Sequence, residues 1–323
     1  VIWSYPNAGK RIKIPDGVIR IGKWAFSDCF SIESIAIPDT VTSIGAAAFE
    51  NCNSLQRVSI PPKITNIENS TFKKCKSLKN IVIPSNVISI GDSAFFCCSN
   101  ITSVTIQNGV KEIGDSAFVG CESLESIAIP DSVTSIGKSA FYDCSSLKSI
   151  TIPSSITNIS NWTFHNCTSL TSIKIPNSVT SVGYGAFWGC ESLASITIPD
   201  SVISIDEDAF NGCRTDLIIK GNLSSEAERF AKSKGYKFVS VGYSKPAVSI
   251  KSSYNIKIVD NNGNPIKNAT VSDGTTSRKA TGGYASISFP SAERIWKVSA
   301  DKYVDKYISE NELTTDVNTI IMY

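Results

Sequence analysis

Nine cysteines recur at one fixed interval: Cys29, Cys52, Cys75, Cys98, Cys121, Cys144, Cys167, Cys190 and Cys213 stand 23 residues apart, and only Cys97 falls outside the series. A Phe precedes each of them by three residues, from Phe26 to Phe210. A Pro keeps the same frame at Pro15, Pro38, Pro61, Pro84, Pro130, Pro153, Pro176 and Pro199, with Gln107 as the single replacement. Three residue types locked in one register leave little choice of fold. The chain must stack equivalent units, each of which buries its apolar side only against its neighbours.

One unit can be decoded from Ala140 to Ile159. Ala140, Phe141, Cys144 and Leu147 fall at i, i+1, i+4 and i+7, which predicts one buried face of a short helical segment. Ser149-Ile150-Thr151-Ile152 alternates, so a short strand should point Ile150 and Ile152 inward and Ser149 and Thr151 to water. Pro153 ends that strand. Ile156 and Ile159 supply a second inward pair, and a Gly such as Gly137 or Gly183 is expected to turn the chain into the next helical segment. The expectation is an α+β repeat solenoid with a parallel sheet along one side. At a strand spacing of roughly 4.8 Å, its nine coils would be about 40 Å long.

The unit at residues 129–150, Ile-Pro-Asp-Ser-Val-Thr-Ser-Ile-Gly-Lys-Ser-Ala-Phe-Tyr-Asp-Cys-Ser-Ser-Leu-Lys-Ser-Ile, strongly resembles the BspA-like leucine-rich repeats of bacterial surface proteins. The resemblance runs over about residues 10–240. It implies a right-handed leucine-rich-repeat solenoid on a secreted or cell-surface protein, often an adhesin, with no enzymatic activity in the repeats. Residues 217–243 break the period, with Asp216 where Leu would stand and no further Cys. The run from Ser224 to Ala231, followed by Lys237-Phe238-Val239, is similar to that family's closing cap, a helix and a final strand. The solenoid with its cap is therefore expected over residues 1–243.

After a Gly-Tyr-Ser-Lys-Pro linker ending at Pro246 the period stops. Short alternating segments at 254–259, 269–272, 284–289, 296–300 and 318–322 are separated by turn signals, which predicts a small all-β antiparallel sandwich over 246–323. The stretch Ile258 to Val271, with Gly282-Gly283-Tyr284 downstream, resembles carboxypeptidase-regulatory or Cna-B-like modules, implying an Ig-like or prealbumin-like sandwich. In such modules a Lys and an Asn form a crosslink, for which Lys257 and Asn318 are the natural positions. Lys257 stands three residues before Asp260 rather than the usual two, so no crosslink is expected.

Several function classes are disfavoured. Lys and Arg total 31 against 29 Asp and Glu, so no net field favours nucleic acid or an anionic membrane. No apolar run approaches the roughly 18–20 residues that cross a bilayer, so no membrane insertion is expected. The chain opens at Val1 without an initiator Met or a signal-like apolar stretch, as an internal or mature piece would. The cysteine series runs in a line without the convergent C-x2-C spacing of a metal site, so buried structural thiols are expected, with Cys97 the one nearest solvent. A single histidine, His165, leaves no partners for a zinc site or a Ser-His-Asp triad. Asp206-Glu207-Asp208 is read as charge at the start of a turn, and Asp260 to Asn264 as a hairpin turn rather than a calcium loop. No catalytic residue, metal or cofactor is expected.

Two surfaces remain for binding. Two residues before the repeat Cys, successive units carry Phe96, Val119, Tyr142, His165 and Trp188, where earlier ones carry Ser27, Glu50 and Lys73. Stacking would align them, with Trp162 and Tyr184 alongside, in an aromatic strip suited to a sugar face or a protein. The competing reading has the column half-bury against neighbouring turns. The second surface is the outward strand face: Ser103, Thr105, Ser126, Ala128, Ser149, Thr151, Ser172, Lys174, Ser195 and Thr197. The expected function is a monomeric, non-catalytic extracellular adhesin for host or neighbouring-cell proteins. A glycan-binding accessory region of a larger secreted enzyme, or a plain spacer, are the alternatives.

Overall fold

The computed structural model describes residues 9–241, 252–260, 262–272, 277–281, 284–289, 296–299, 306–308 and 318–321. The chain divides into two compact units, Val1–Val241 and Gly242–Tyr323.

In the first unit, alternation along each coil decides what faces inward. Ser149–Thr151 exposes its two polar residues and buries Ile150. It lies parallel to Ser126–Ala128 and Ser172–Lys174, with each residue beside its equivalent one coil away, such as Ile127 beside Ile150 beside Ile173. Eight strands from Asn80–Ile83 to Lys237–Ser240 form one parallel sheet in this way. Arg11–Lys13, Ser34–Ala36 and Arg57–Val58 form a three-stranded parallel sheet in the same frame. The second extended piece also pairs from coil to coil, as Asn158–Ile159 does with Ser181–Val182. Parallel pairing thus lines two sides of the coil rather than one.

The predicted helical segments are absent, and the α+β expectation is corrected to a β-solenoid with almost no helix. Ala140, Phe141, Cys144 and Leu147 are buried as expected, yet the backbone carrying them is a run of turns. In the first eight coils two residues take left-handed φ values, such as Ser139 (56°) and Asp143 (55°), then Trp162 (61°) and Asn166 (54°). A pair of left-handed residues four positions apart breaks the i→i−4 ladder that a right-handed helix needs. The freed N–H groups bond to the next coil instead: Phe141 N–H donates to Thr163 O at 2.9 Å and Asp143 N–H to His165 O at 2.9 Å. Gly137 also has a different role from the one expected, since its φ is not left-handed. A Cβ there would lie 2.5 Å from Asp115 N, so close approach of neighbouring coils is what selects glycine.

Stacking places like on like in the core. Consecutive Phe rings from Phe26 to Phe210 lie 5.1–5.7 Å apart with planes within 16° of parallel. Beside them runs the cysteine ladder, each thiol from Cys52 to Cys213 donating to the carbonyl of the preceding coil's Phe at 3.1–3.3 Å. The helix Glu226–Lys234 closes the stack, starting at Ser225, whose side chain accepts from Glu228 N–H, and ending at left-handed Gly235. Phe230 packs on Phe210 with ring centres 5.5 Å apart. Tyr236 OH donates to Phe210 O at 3.0 Å, filling the place that a further cysteine would take. The strand Lys237–Ser240 follows, as the sequence indicates.

In the second unit Ser252–Val259 pairs antiparallel with Tyr284–Phe289 and parallel with Asn318–Ile321, so this sheet is mixed rather than purely antiparallel. A second sheet joins Ser277–Lys279, Thr270–Ser272, Trp296–Ser299 and Lys306–Ile308, all antiparallel. Ile256, Ile258, Val271 and Val298 are buried. Lys257 registers with Thr319 and Asn318 with Ile256, so the two crosslink positions are offset by one residue. The linker 242–246 and Gly282-Gly283 lie outside the described residues.

Candidate functional site

The chemical candidates dissolve into structure. All ten cysteines are free thiols. Burial pushes Cys52, Cys98 and Cys213 up to about 12, and Cys75, Cys121, Cys144, Cys167 and Cys190 upward likewise. A thiol held neutral and bonded to a carbonyl is neither nucleophile nor ligand. Cys97 differs because it occupies the left-handed position before the repeat Cys, at φ 54°, and is only partly buried. No group of His, Cys, Asp and Glu among the described residues could hold a metal ion.

The acidic segments are spent locally too. Asp206 Oδ1 accepts from Asp208 N–H, Asp208 accepts from Asn211 Nδ2, and Glu207 pairs with Lys234 at 3.3 Å. Asp260 accepts from the N–H groups of Asn264 and Asn262, which hold its carboxyl below the usual range. This is a turn that ties its own ends together.

The aromatic column does assemble. Tyr142 and His165 stack face to face at 4.3 Å, with planes 2° apart. Trp162 reaches in from a neighbouring column: its ring lies 5.0 Å from His165, meets Tyr184 edge-on at 4.6 Å and lies 6.0 Å from Trp188. Tyr142, Trp162, Tyr184 and Trp188 are each half-buried, whereas His165 is buried. Burial holds the His165 imidazole below its ordinary pKa, against the opposing pull of Asp143, and its Nδ1 has no hydrogen-bond partner among the described residues. Phe96 is apart from this cluster, with Val119 between and Lys73 Nζ 5.9 Å from its ring.

Glycine makes the cluster possible. A Cβ at Gly185 would lie 2.8 Å from Trp162 Cε3, and one at Gly212 would lie 3.2 Å from Trp188 Nε1. Other coils hold Ser70, Ser93, Ser116 or Ser139 where Gly185 stands. The exchange of Ser for Gly one coil after Trp162 was a readable signal of this packing.

The strand-face candidates stand as expected: Ser126, Ser149, Thr151, Ser172, Lys174 and Thr197 are exposed and aligned coil to coil. They line up along the sheet and are not part of the aromatic cluster, which lies on the turns.

The sequence profile of the BspA type leucine rich repeat region (6 copies) matches residues 5–118 and 89–217, about two thirds of the chain. This chain belongs to the BspA-type leucine-rich repeat family. A leucine-rich repeat protein from Bacteroides ovatus is similar over 71% of this chain and 69% of that one, at 29% identity and TM-score 0.59. The leucine-rich repeat protein of T. pallidum is 29% identical over 59% of this chain and 80% of its own, at TM-score 0.44. A leucine-rich cell surface protein from Faecalibacterium prausnitzii is 25% identical over 75% and 90%, at TM-score 0.45. No curated protein matches the chain. BspA-type proteins are repeat proteins, non-catalytic as a rule. No helix among the described residues is long and apolar enough to cross a membrane.

Proposed function

We propose that this BspA-type chain is a non-catalytic adhesin, secreted or displayed on a bacterial surface, that holds host or neighbouring-cell proteins through its repeat surface. The observation that supports this reading is the cluster of Tyr142, Trp162, Tyr184 and Trp188 around His165. Trp and Tyr carry much of the binding energy in protein interfaces, because each buries a large apolar area with little loss of side-chain freedom. Mounting them on turns bonded to the neighbouring coils presents them already ordered, which lowers the entropic cost of association. In this reading residues 1–243 are the binding solenoid, and 246–323 form a sandwich that acts as spacer or second module. The chain works as a monomer and uses no cofactor.

A second reading, the glycan-binding accessory region of a larger secreted enzyme, is favoured by the partly exposed rings of Trp162 and Trp188 close together on the turns, since sugars stack on ring faces. The test is binding of the purified chain to a panel of extracellular-matrix proteins and neutral glycans, with a Tyr142→Ala/Trp188→Ala variant alongside. Saturable protein binding lost in the variant supports the adhesin, glycan binding alone moves the assignment to the second reading, and a silent panel contradicts both.

A further inference from the structure

The near-balance of charge over the whole chain conceals a segregated face. Eleven strands make up the two parallel sheets in the frame of Arg11–Lys13, and none contains Asp or Glu. Their outward positions carry six cations: Arg11, Lys13 and Arg57 toward one end, and Lys174, Lys220 and Lys237 toward the other. None of the six forms an ion pair among the described residues. Glu33 and Glu125, one residue before their strands, are paired with Lys10 at 2.9 Å and Lys148 at 2.8 Å, and the exposed carboxylates of Asp16, Asp39, Asp131 and Asp200 stand in the turns past the strand ends rather than on the strands. Arg11, Lys13 and Arg57 border an open depression of about 520 Å³ on Ser34, Ala36 and Val58.

Between Arg57 and Lys174 runs a track of small hydroxyl side chains at Ser103, Ser126 and Ser149, continued into the second cationic end at Ser172 and Ser195. The face has no aromatic anchor of the kind a folded protein partner uses. We propose that this face binds an anionic polysaccharide laid along the solenoid axis, its carboxylate or sulfate groups held by the two cationic ends and its hydroxyls by the serine track. Charge complementarity is the basis: unpaired guanidinium and ammonium groups on strands that carry no carboxylate attract a polyanion more than a neutral chain. Five strand spacings separate Arg57 from Lys174, which at roughly 4.8 Å each is about 24 Å. Only a chain that spans this gap can engage both ends, so affinity should rise with length once it does.

The inference rests on reading the chain as a binding scaffold, but on residues apart from the aromatic cluster. Titration calorimetry of the full chain at low salt tests it, with dextran sulfate, polygalacturonate, neutral dextran and polyglutamate as probes. Both anionic polysaccharides should bind saturably and more weakly as salt rises, with neutral dextran silent. Arg11→Ala/Lys13→Ala/Arg57→Ala should weaken binding by about tenfold or more. Lys63→Ala/Lys111→Ala/Lys138→Ala, removing the same charge from exposed sites elsewhere, should leave it intact. Equal loss in both triple variants, polyglutamate binding as tightly as the polysaccharides, or no binding at all would each overturn the proposal. Tyr142→Ala/Trp188→Ala should not alter these titrations, so failure here and failure of the adhesin reading are separable.

Discussion

The thiol of Cys144 donates to the carbonyl oxygen of Phe118, 3.2 Å away and 26 residues earlier in the chain. The same carbonyl accepts the N–H of Cys121 at 3.2 Å within its own coil. One buried oxygen therefore ties the turn of its own coil to the core of the next, and the pairing repeats along the stack until Tyr236 takes it over. A valine in the ladder would fill similar space but supply no donor, and an alanine would supply neither volume nor donor.

Cys144→Ala should therefore destabilise the solenoid by about 1–3 kcal/mol, from the small cavity together with the lost bond to Phe118. Urea unfolding followed by circular dichroism measures this. A loss below about 0.5 kcal/mol would deny the ladder a structural role.

The eight repeat thiols from Cys52 to Cys213 should resist alkylation in the folded protein. At pH 8 the buried thiols are neutral, because burial raises their pKa. Mass spectrometry after brief iodoacetamide treatment should find label on Cys97 first, and on the ladder only after denaturation. Rapid labelling of Cys144 or Cys167 in the native protein would contradict the burial.

The same shifts set an alkaline limit. Cys52, Cys98 and Cys213 stay protonated in the folded state up to about 12, from an ordinary value of 9.0. A raised folded pKa contributes stability that is complete below pH 9, since above it the unfolded chain loses protons that the folded chain keeps. Unfolding midpoints should fall steadily between pH 9 and 12. Serine in place of these cysteines should flatten that slope.

His165 should behave in the opposite sense. Burial lowers its pKa below the ordinary 6.5, so the folded protein takes up the proton later than the unfolded chain does. The resulting stability is present above pH 6.5 and lost as pH falls through the folded pKa. Because His165 is the only histidine, one imidazole resonance in a proton NMR titration reports it directly. A midpoint at or above 6.5 would rule out the buried stack with Tyr142.

Gly185→Ser offers a test of how the aromatic cluster is built. Ser139 and Ser116 hold the same position at φ 56° and 58°, so the coil should accept the change and the solenoid should fold. A Cβ at 185 displaces Trp162, which should alter tryptophan fluorescence and weaken partner binding. Unchanged fluorescence would show that Trp162 does not rest on Gly185.

What the sequence made legible follows from what repeats. The 23-residue frame placed Phe141, Cys144, Ile150 and Ile156 in the core, because an inward-facing position recurs at the same place in each coil. The same frame misled on helix: Ala140, Phe141, Cys144 and Leu147 share a face in a helix, but a run of turns gives them the same burial. The distinguishing signal lay one residue before the repeat Cys, where seven of the nine positions, Asp28, Asn51, Gly120, Asp143, Asn166, Gly189 and Gly212, are types that tolerate a left-handed backbone, with Lys74 and Cys97 the other two. The cluster was legible as a column, but the way Trp162 bridges Tyr184 and His165 depends on the stacking of successive coils. The cationic strand face was hidden because a net charge of +2 averages over faces that only folding separates.

The adhesin reading is tested most directly by titrating the intact chain and its Tyr142→Ala/Trp188→Ala variant against any extracellular-matrix protein that binds, with unfolding midpoints checked for both. Saturable binding by the intact chain, weakened in the variant by about 2 kcal/mol or more with its fold intact, is the predicted result. Equal affinity for the two would place the protein-binding surface elsewhere and contradict the role given to the aromatic cluster.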